Sequence, residues 1–187
     1  LVFEGDWEHA IRSLDQSNHV LHIGSFSKSL APGVRLGYVV APKDVMSQLL
    51  PSKIDVGTNM ITAMMVADFL QGHYEEHNYT LRAGLRRKRD AVVAALGEHF
   101  GPVVDFYQPR GGMFIWVRFP ESVDTNVPLA AAKREGVIYN PGKEWSADPQ
   151  SHGANYLRIC YGLPSESQIW EGIERMAKVF NQEIPLS

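Results

Sequence analysis

A polar connection of 11 residues, Ser25 to Arg35, lies between two apolar runs, and this arrangement constrains the fold more than any other feature of the chain. His19 to Gly24 (HVLHIG) alternates apolar and polar residues, the pattern of a strand with one covered face. Leu36 to Val40 (LGYVV) is nearly all apolar, which predicts a strand buried on both faces. Loops at strand ends are where an α/β sheet collects its ligand-binding groups. Pro42 opens a predicted short helix that runs through Leu50 and stops at Pro51.

Downstream, the spacing predicts a helix from about Asn59 to Leu70, with Met60, Met64 and Ala67 on one face. A longer helix follows from about Tyr74 to His99. Leu81, Leu85, Val92 and Leu96 recur on it at helical spacing, and Arg82, Arg86 and Arg89 line another face, read as solvated. After Gly101-Pro102 the pattern shortens. Val103 to Tyr107 and Met113 to Phe119 read as paired strands joined through Pro109-Arg110-Gly111-Gly112. Leu129 to Glu135 reads as a helix, and Val137 to Tyr139 and Tyr156 to Tyr161 as short strands. The closing helix carries a capping box, Ser165 with Gln168, and one apolar stripe of Ile169, Ile173, Met176, Ala177 and Phe180.

The expected fold is therefore α/β: the end of a larger sheet domain, residues 1–72, and an interdomain helix with a small α+β domain, residues 73–187. A chain of 187 residues suits one good core or two small ones. A net charge of −3 supplies no general attraction to nucleic acid or to an anionic membrane, so neither is an expected partner. No apolar stretch approaches the roughly 20 residues of a spanning helix. The one cysteine, Cys160, has no internal partner for a disulfide, which fits a reducing cytoplasm. The opening Leu1-Val2-Phe3-Glu4 has neither an initiator Met nor a signal-peptide pattern, and reads as the interior of a longer protein.

The connection itself has a chemical logic. Lys28 offers an amine at a strand exit, Ser25 and Ser27 offer hydroxyl donors, and Arg35 offers a planar fork suited to phosphate oxygens. A phosphorylated aldehyde needs such a set: an amine to condense with its carbonyl and a cluster of donors for its dianion. Read alone, Ser-x-Ser-Lys also suits a surface loop with a solvated lysine. In the strand Tyr156 to Tyr161, Arg158 is a cation among apolar neighbours, where an unpaired charge is costly. A bidentate carboxylate ligand or a structural salt bridge would each remove that cost. The adjacent Gly111 and Gly112 permit close approach of backbone to a ligand, or a plain hairpin.

Taken together, Ser25-Phe26-Ser27-Lys28, Pro32-Gly33-Val34-Arg35-Leu36-Gly37-Tyr38, Pro109 to Trp116 (PRGGMFIW) and Asn155 to Gly162 (NYLRICYG) resemble the fold-type-I pyridoxal-phosphate aminotransferases of class I/II. The likeness is nearest to the branch that includes 2-aminoadipate and aromatic aminotransferases, and it covers the C-terminal part of that fold. It implies pyridoxal 5'-phosphate as cofactor, Lys28 as the Schiff-base lysine, and Ser25, Ser27 and Arg35 as further cofactor-binding residues. It also implies Arg158 and Gly112 at the substrate, an amino acid and a 2-oxo acid as substrates, and a homodimer. The family's ring-stacking aromatic and the aspartate that pairs with the ring nitrogen would fall upstream of residue 1.

Three other readings keep much of this pattern. A fold-type-I lyase would use the same lysine and arginines. A winged-helix transcriptional regulator fused to this fold has nearly the same lysine loop, although Gly-Gly-Met-Phe-Ile-Trp favours an enzyme. An inactive folding or dimerisation piece is the third. Smaller signals have simple accounts: His73 and His77 as a solvated pair with no metal site, Thr58 and Asn59 as a helix N-cap, Tyr139-Asn140-Pro141-Gly142 as either a plain turn or a small-domain loop that the resemblance puts near the site, and Cys160 as packing.

Overall fold

The computed structural model describes residues 1–6, 8–55 and 57–184. The chain divides into two compact units, Leu1 with Gly5–Leu81, and Val2–Glu4 with Arg82–Ser187.

The first unit opens with a single helical turn, α1 (Ile11–Leu14), followed by the strands β1 (His22–Ser25) and β2 (Gly37–Val40). These two form an antiparallel ribbon in which Gly24 faces Tyr38 and Ser25 faces Gly37. The expectation that β2 is buried on both faces does not hold: Tyr38, Val39 and Val40 are all exposed. Among the described residues the ribbon has only two strands, so the apolar run is paired along one edge while nearly half of each of these side chains stays open to solvent. Helix α2 (Lys43–Leu49) begins after Pro42 and tightens into a 3-10 turn at Leu50–Ser52, where Pro51 supplies no amide donor. Asn59 caps α3 (Met60–Gly72) by accepting a hydrogen bond from the Thr62 amide at 3.1 Å. Val66 is the buried residue of α3, whereas Met60, Ile61, Met64 and Met65 are exposed.

Helix α4 (Tyr74–His99) has the predicted bounds, and Leu85, Val92 and Leu96 are buried along it. Of its arginines, Arg89 departs from the solvated face expected of it, while Arg86 stays exposed. Arg89 is fully buried and Arg86 pairs with Glu4 at 3.2 Å. Four strands then form one antiparallel sheet in the order β3-β4-β6-β5: β3 (Asp105–Phe106), β4 (Phe114–Arg118), β5 (Asn140–Pro141) and β6 (Tyr156–Cys160). The alternation of strand side chains sorts β4 cleanly. Ile115 and Val117 go to the core, while Phe114, Trp116 and Arg118 take the other face. Between the strands, α5 (Leu129–Arg134) buries Ala132.

The strand expected at Val137–Tyr139 lies instead at Asn140–Pro141, which pair with Arg158 and Leu157 of β6. The preceding residues have other partners: the Val137 amide closes onto the Ala132 carbonyl, and the buried Tyr139 hydroxyl donates to the Thr125 carbonyl at 2.7 Å. Helix α6 (Glu166–Glu183) starts with the predicted capping box of Ser165 and Gln168, and its whole predicted stripe is buried. Phe180 stacks on Phe119 at 4.8 Å and meets Phe100 edge-on, which ties α6 to the end of α4 and to the strand edge. Among the described residues no helix is long and apolar enough to cross a membrane.

Candidate functional site

The candidate residues fall in two groups, one on each unit. In the first unit, Ser25 ends β1 and its Oγ accepts a hydrogen bond from the Ser27 amide at 3.2 Å. The chain then coils, with the Leu30 and Ala31 amides both returning to the Phe26 carbonyl. Lys28 sits in that coil and is exposed. A 3-10 turn at Pro32–Val34 brings the chain back to β2, and the Phe26 amide closes the loop onto the Leu36 carbonyl at 3.1 Å. The left-handed residue of this return is Arg35, at φ 47°, ψ 37°, and not Gly33. That conformation crowds a Cβ atom and costs an ordinary residue about 1–2 kcal/mol.

At the base of the loop the ribbon is closely packed. The Tyr38 ring lies over Gly24 so tightly that a Cβ there would come within 2.1 Å of it, and Phe26 and His22 flank the ring at 5.5 and 5.7 Å. Neither Lys28 nor Arg35 has an ion-pair partner among the described residues. Two exposed cations and two serine hydroxyls within one 11-residue loop form a donor set that fits a phosphorylated aldehyde. His77 belongs to the loop's support: its Nε2 lies 3.0 Å from the Ser29 carbonyl and its ring meets Phe69 edge-on. No group of three potential metal ligands occurs among the described residues.

In the second unit, Arg158 lies on the face of β6 opposite the core, across from Trp116 on β4 and Asn140 on β5. Its guanidinium carbon is 3.4 Å from the centroid of the Trp145 ring and 4.2 Å from that of Phe114. Nη2 donates to Asn140 Oδ1 at 3.2 Å. Nε is buried without a hydrogen-bond partner, and no carboxylate pairs with Arg158 among the described residues. The structural salt bridge that would have explained this arginine is thus not present there. Cys160, two residues on, is exposed rather than packed.

Gly112 is left-handed, at φ 81°, with open space where a side chain would sit. Its carbonyl accepts from the Tyr161 hydroxyl at 3.2 Å, and the Tyr161 amide donates to the Met113 carbonyl. Burial pushes the Tyr161 phenol up to about 12, so it remains a donor throughout the ordinary pH range. On the other side of the turn, Arg89 Nη1 donates to the Pro109 carbonyl, while the Phe3 and Glu4 amides donate to that of Arg110.

Sequence reasoning missed Trp145 and the Glu4–Arg89 pair. Trp145 carries a visible signal: a tryptophan in the polar stretch Lys143-Glu144-Trp145-Ser146, half exposed, has no core to explain it.

The profile of the family described as "Aminotransferase class I and II" matches residues 1–176. The chain belongs to that family. Among relatives of this aminotransferase family member, an "Aromatic-amino-acid aminotransferase 1" of Thermococcus litoralis is 32% identical over 98% of this chain and 44% of its own length. An "Uncharacterized HTH-type transcriptional regulator YdfD" of Bacillus subtilis is 29% identical over 93% of this chain and 36% of its own length. The fold is that of a solved structure of an α-aminoadipate aminotransferase from Thermus thermophilus, complexed with N-(5'-phosphopyridoxyl)-L-leucine. The two superpose with a TM-score of 0.91 at 28% identity, over 100% of this chain and 49% of the other. The chain spans about half the length of the aminotransferases it matches, or less.

Proposed function

We propose that this chain carries the lysine, part of the phosphate site and the carboxylate site of an enzyme that transfers an amino group between an amino acid and a 2-oxo acid with pyridoxal 5'-phosphate. The observation that carries the reading is Arg158: a cation on a sheet face, with a buried Nε that has no partner and no carboxylate beside it among the described residues. A buried donor left unsatisfied costs about 1–3 kcal/mol, and a carboxylate ligand that shares two guanidinium donors removes that cost. An α-amino or 2-oxo acid brings such a group.

Ser25, Ser27 and Arg35 would hold the phosphate, and Lys28 the aldehyde carbon. A strained left-handed arginine is the kind of outlier that collects at binding sites, which supports a ligand for Arg35. The cofactor, when bound, supplies an electrophilic carbon and a ring that draws electrons from the substrate Cα. The remaining work falls to the chain. Arg158 fixes the substrate by its carboxylate, so that its Cα–H bond has one orientation. Gly112 leaves its backbone bare where a side chain would obstruct the substrate. Lys28 Nζ, released when the substrate amine takes its place at the aldehyde carbon, would accept the proton from Cα.

In this reading the expected division at residue 72 separates the end of the cofactor domain from the helix and small domain. The bare apolar side chains of β2 and α3 are a surface that further protein covers, and a homodimer supplies it. A cytoplasmic location suits the single exposed thiol.

A second reading is favoured by the relative named as an HTH-type regulator: a cofactor-responsive domain of a transcription factor. The native protein that contains this chain, supplied with pyridoxal phosphate, should convert some amino acid in a broad panel to its 2-oxo acid. That conversion should require a second 2-oxo acid as acceptor. Elimination without an acceptor would assign a lyase. No conversion together with specific DNA retention would assign the regulator.

A further inference from the structure

We propose that Trp145 and Asn140 are positioning residues for Arg158, and that together they fix the guanidinium in the one orientation that can grip a carboxylate with two donors. The inference rests on the reading of Arg158 as the carboxylate site and extends it to two residues outside that role.

An arginine side chain is long, and an unrestrained guanidinium spins about its terminal bonds. Bidentate recognition needs both the plane and the in-plane angle to be set before the ligand arrives. In many proteins a carboxylate side chain does this, but Arg158 has no such partner among the described residues. Its restraints are of another kind. A separation of 3.4 Å between Cζ and the Trp145 centroid is the contact distance of two flat groups, and only a face-on stack reaches it. The indole therefore sets the plane. Phe114, at 4.2 Å, adds a second ring contact.

Asn140 sets the angle within that plane, since its Oδ1 accepts from Nη2 at 3.2 Å. It is well placed to do so, because β5 pairs Asn140 directly with Arg158 and the backbone ladder holds the two residues in register. The choice of partners has a consequence for charge. An amide and two rings orient the cation without neutralising it, so its full charge stays available to a ligand, whereas an aspartate at position 140 would compete with that ligand.

Trp145 closes the 3-10 turn Gly142–Trp145 and is 51% exposed, so its removal leaves the core intact. The test is titration of the native holoprotein with 3-phenylpropionate, followed by calorimetry, with the uncharged 3-phenylpropanamide as control. Trp145→Leu should weaken 3-phenylpropionate about tenfold and Asn140→Ala about threefold, Trp145→Phe should restore most of the affinity, and amide binding should not respond to any of them. In an Arg158→Lys background, Trp145→Leu should have no further effect, because there is no guanidinium plane left to set.

If Arg158→Lys weakens the acid but Trp145→Leu does not, the positioning role is overturned while Arg158 remains the carboxylate site. If Arg158→Lys has no effect, or the wild type does not distinguish acid from amide, the underlying reading of Arg158 fails. Equal losses from Trp145→Leu in both backgrounds would make Trp145 a direct ligand contact and also overturn the proposal.

Discussion

Arg89 is closed off from solvent in the middle of α4, and its guanidinium is hydrogen-bonded to both carboxylate oxygens of Glu4, 85 residues away in sequence. Nε reaches Asp90, Nη1 also reaches the Pro109 carbonyl, and the Phe3 ring lies 5.1 Å from Cζ. Around this one arginine the segment Val2–Glu4 is held against the Pro109–Gly112 turn, where Val2 bridges Gly111. The pair therefore connects a buried charge to the shape of the turn that contains Gly112.

The pair also makes stability depend on pH with a definite sign. The hydrogen bond from Arg89 holds the Glu4 carboxyl below its ordinary value, against a smaller opposing effect of burial. A carboxyl depressed in the folded state stabilises fully above its unfolded value and loses that contribution as pH falls through the folded one. Thermal unfolding of the native protein should therefore show an acid limb below about pH 4.5 that Glu4→Gln flattens. Arg89→Met, which removes the buried cation and all of its hydrogen bonds, should cost on the order of 3–5 kcal/mol at neutral pH. An unchanged acid limb in Glu4→Gln would show that other carboxyls govern it.

The ribbon that carries the lysine loop gives a prediction about two glycines on facing strands. A Cβ at Gly24 meets the ring of Tyr38, an exposed side chain able to swing away. A Cβ at Gly37 meets the Gly24 carbonyl oxygen at 2.8 Å, and backbone in a paired ribbon has nowhere to go. Gly37→Ala should thus destabilise by about 1–3 kcal/mol and loosen cofactor retention, with Gly24→Ala distinctly milder. Equilibrium dialysis against pyridoxal phosphate, alongside thermal melts, measures both. The reverse order would mean that Tyr38 is pinned by protein outside this ribbon.

Lys28 should be the residue that captures the cofactor. Borohydride treatment of the native protein with pyridoxal phosphate, followed by peptide mapping, should place the pyridoxyl group on Lys28. A label on Lys43 or Lys53, both also exposed, would reassign the site.

What the sequence made legible follows from the range of the forces involved. Helix α6 was readable because a capping box and an apolar stripe are local patterns, and the buried set coincides with the stripe. The bounds of α4 were readable for the same reason. The solvated face assigned to Arg89 was wrong because periodicity says which residues share a face, not what meets them, and its partner Glu4 lies on a distant segment. Likewise β2 looked buried because an apolar run records what a strand needs, and the layer that would cover it is not among the described residues. At the candidate site, residue type left Lys28, Arg35 and Arg158 open to simpler accounts, and it was the resemblance of three motifs to the aminotransferases that singled them out. The partners of Arg158 were not visible, since Trp145 and Asn140 come to it through strand pairing and a turn.

The two arginines should separate cofactor from substrate. Arg158 stands on a sheet face as a cation whose buried Nε has no hydrogen-bond partner among the described residues. Arg35 stands in the lysine loop with a left-handed backbone. Substitution by lysine isolates the head group in each case, because the charge, the Cβ atom and hence the backbone strain are retained while the planar fork is lost. Arg158→Lys should leave cofactor content nearly unchanged and weaken amino-acid and 2-oxo-acid use together, by on the order of 2–3 kcal/mol, or about a hundredfold in kcat/KM. Arg35→Lys should lower cofactor affinity first, and its kinetics should recover when the cofactor is saturating. Amines that lack a carboxylate are the internal control, since they should not respond to Arg158. The assignment fails if Arg158→Lys loses pyridoxal phosphate on dialysis and yet, once saturated with it, handles amino acids as the wild type does.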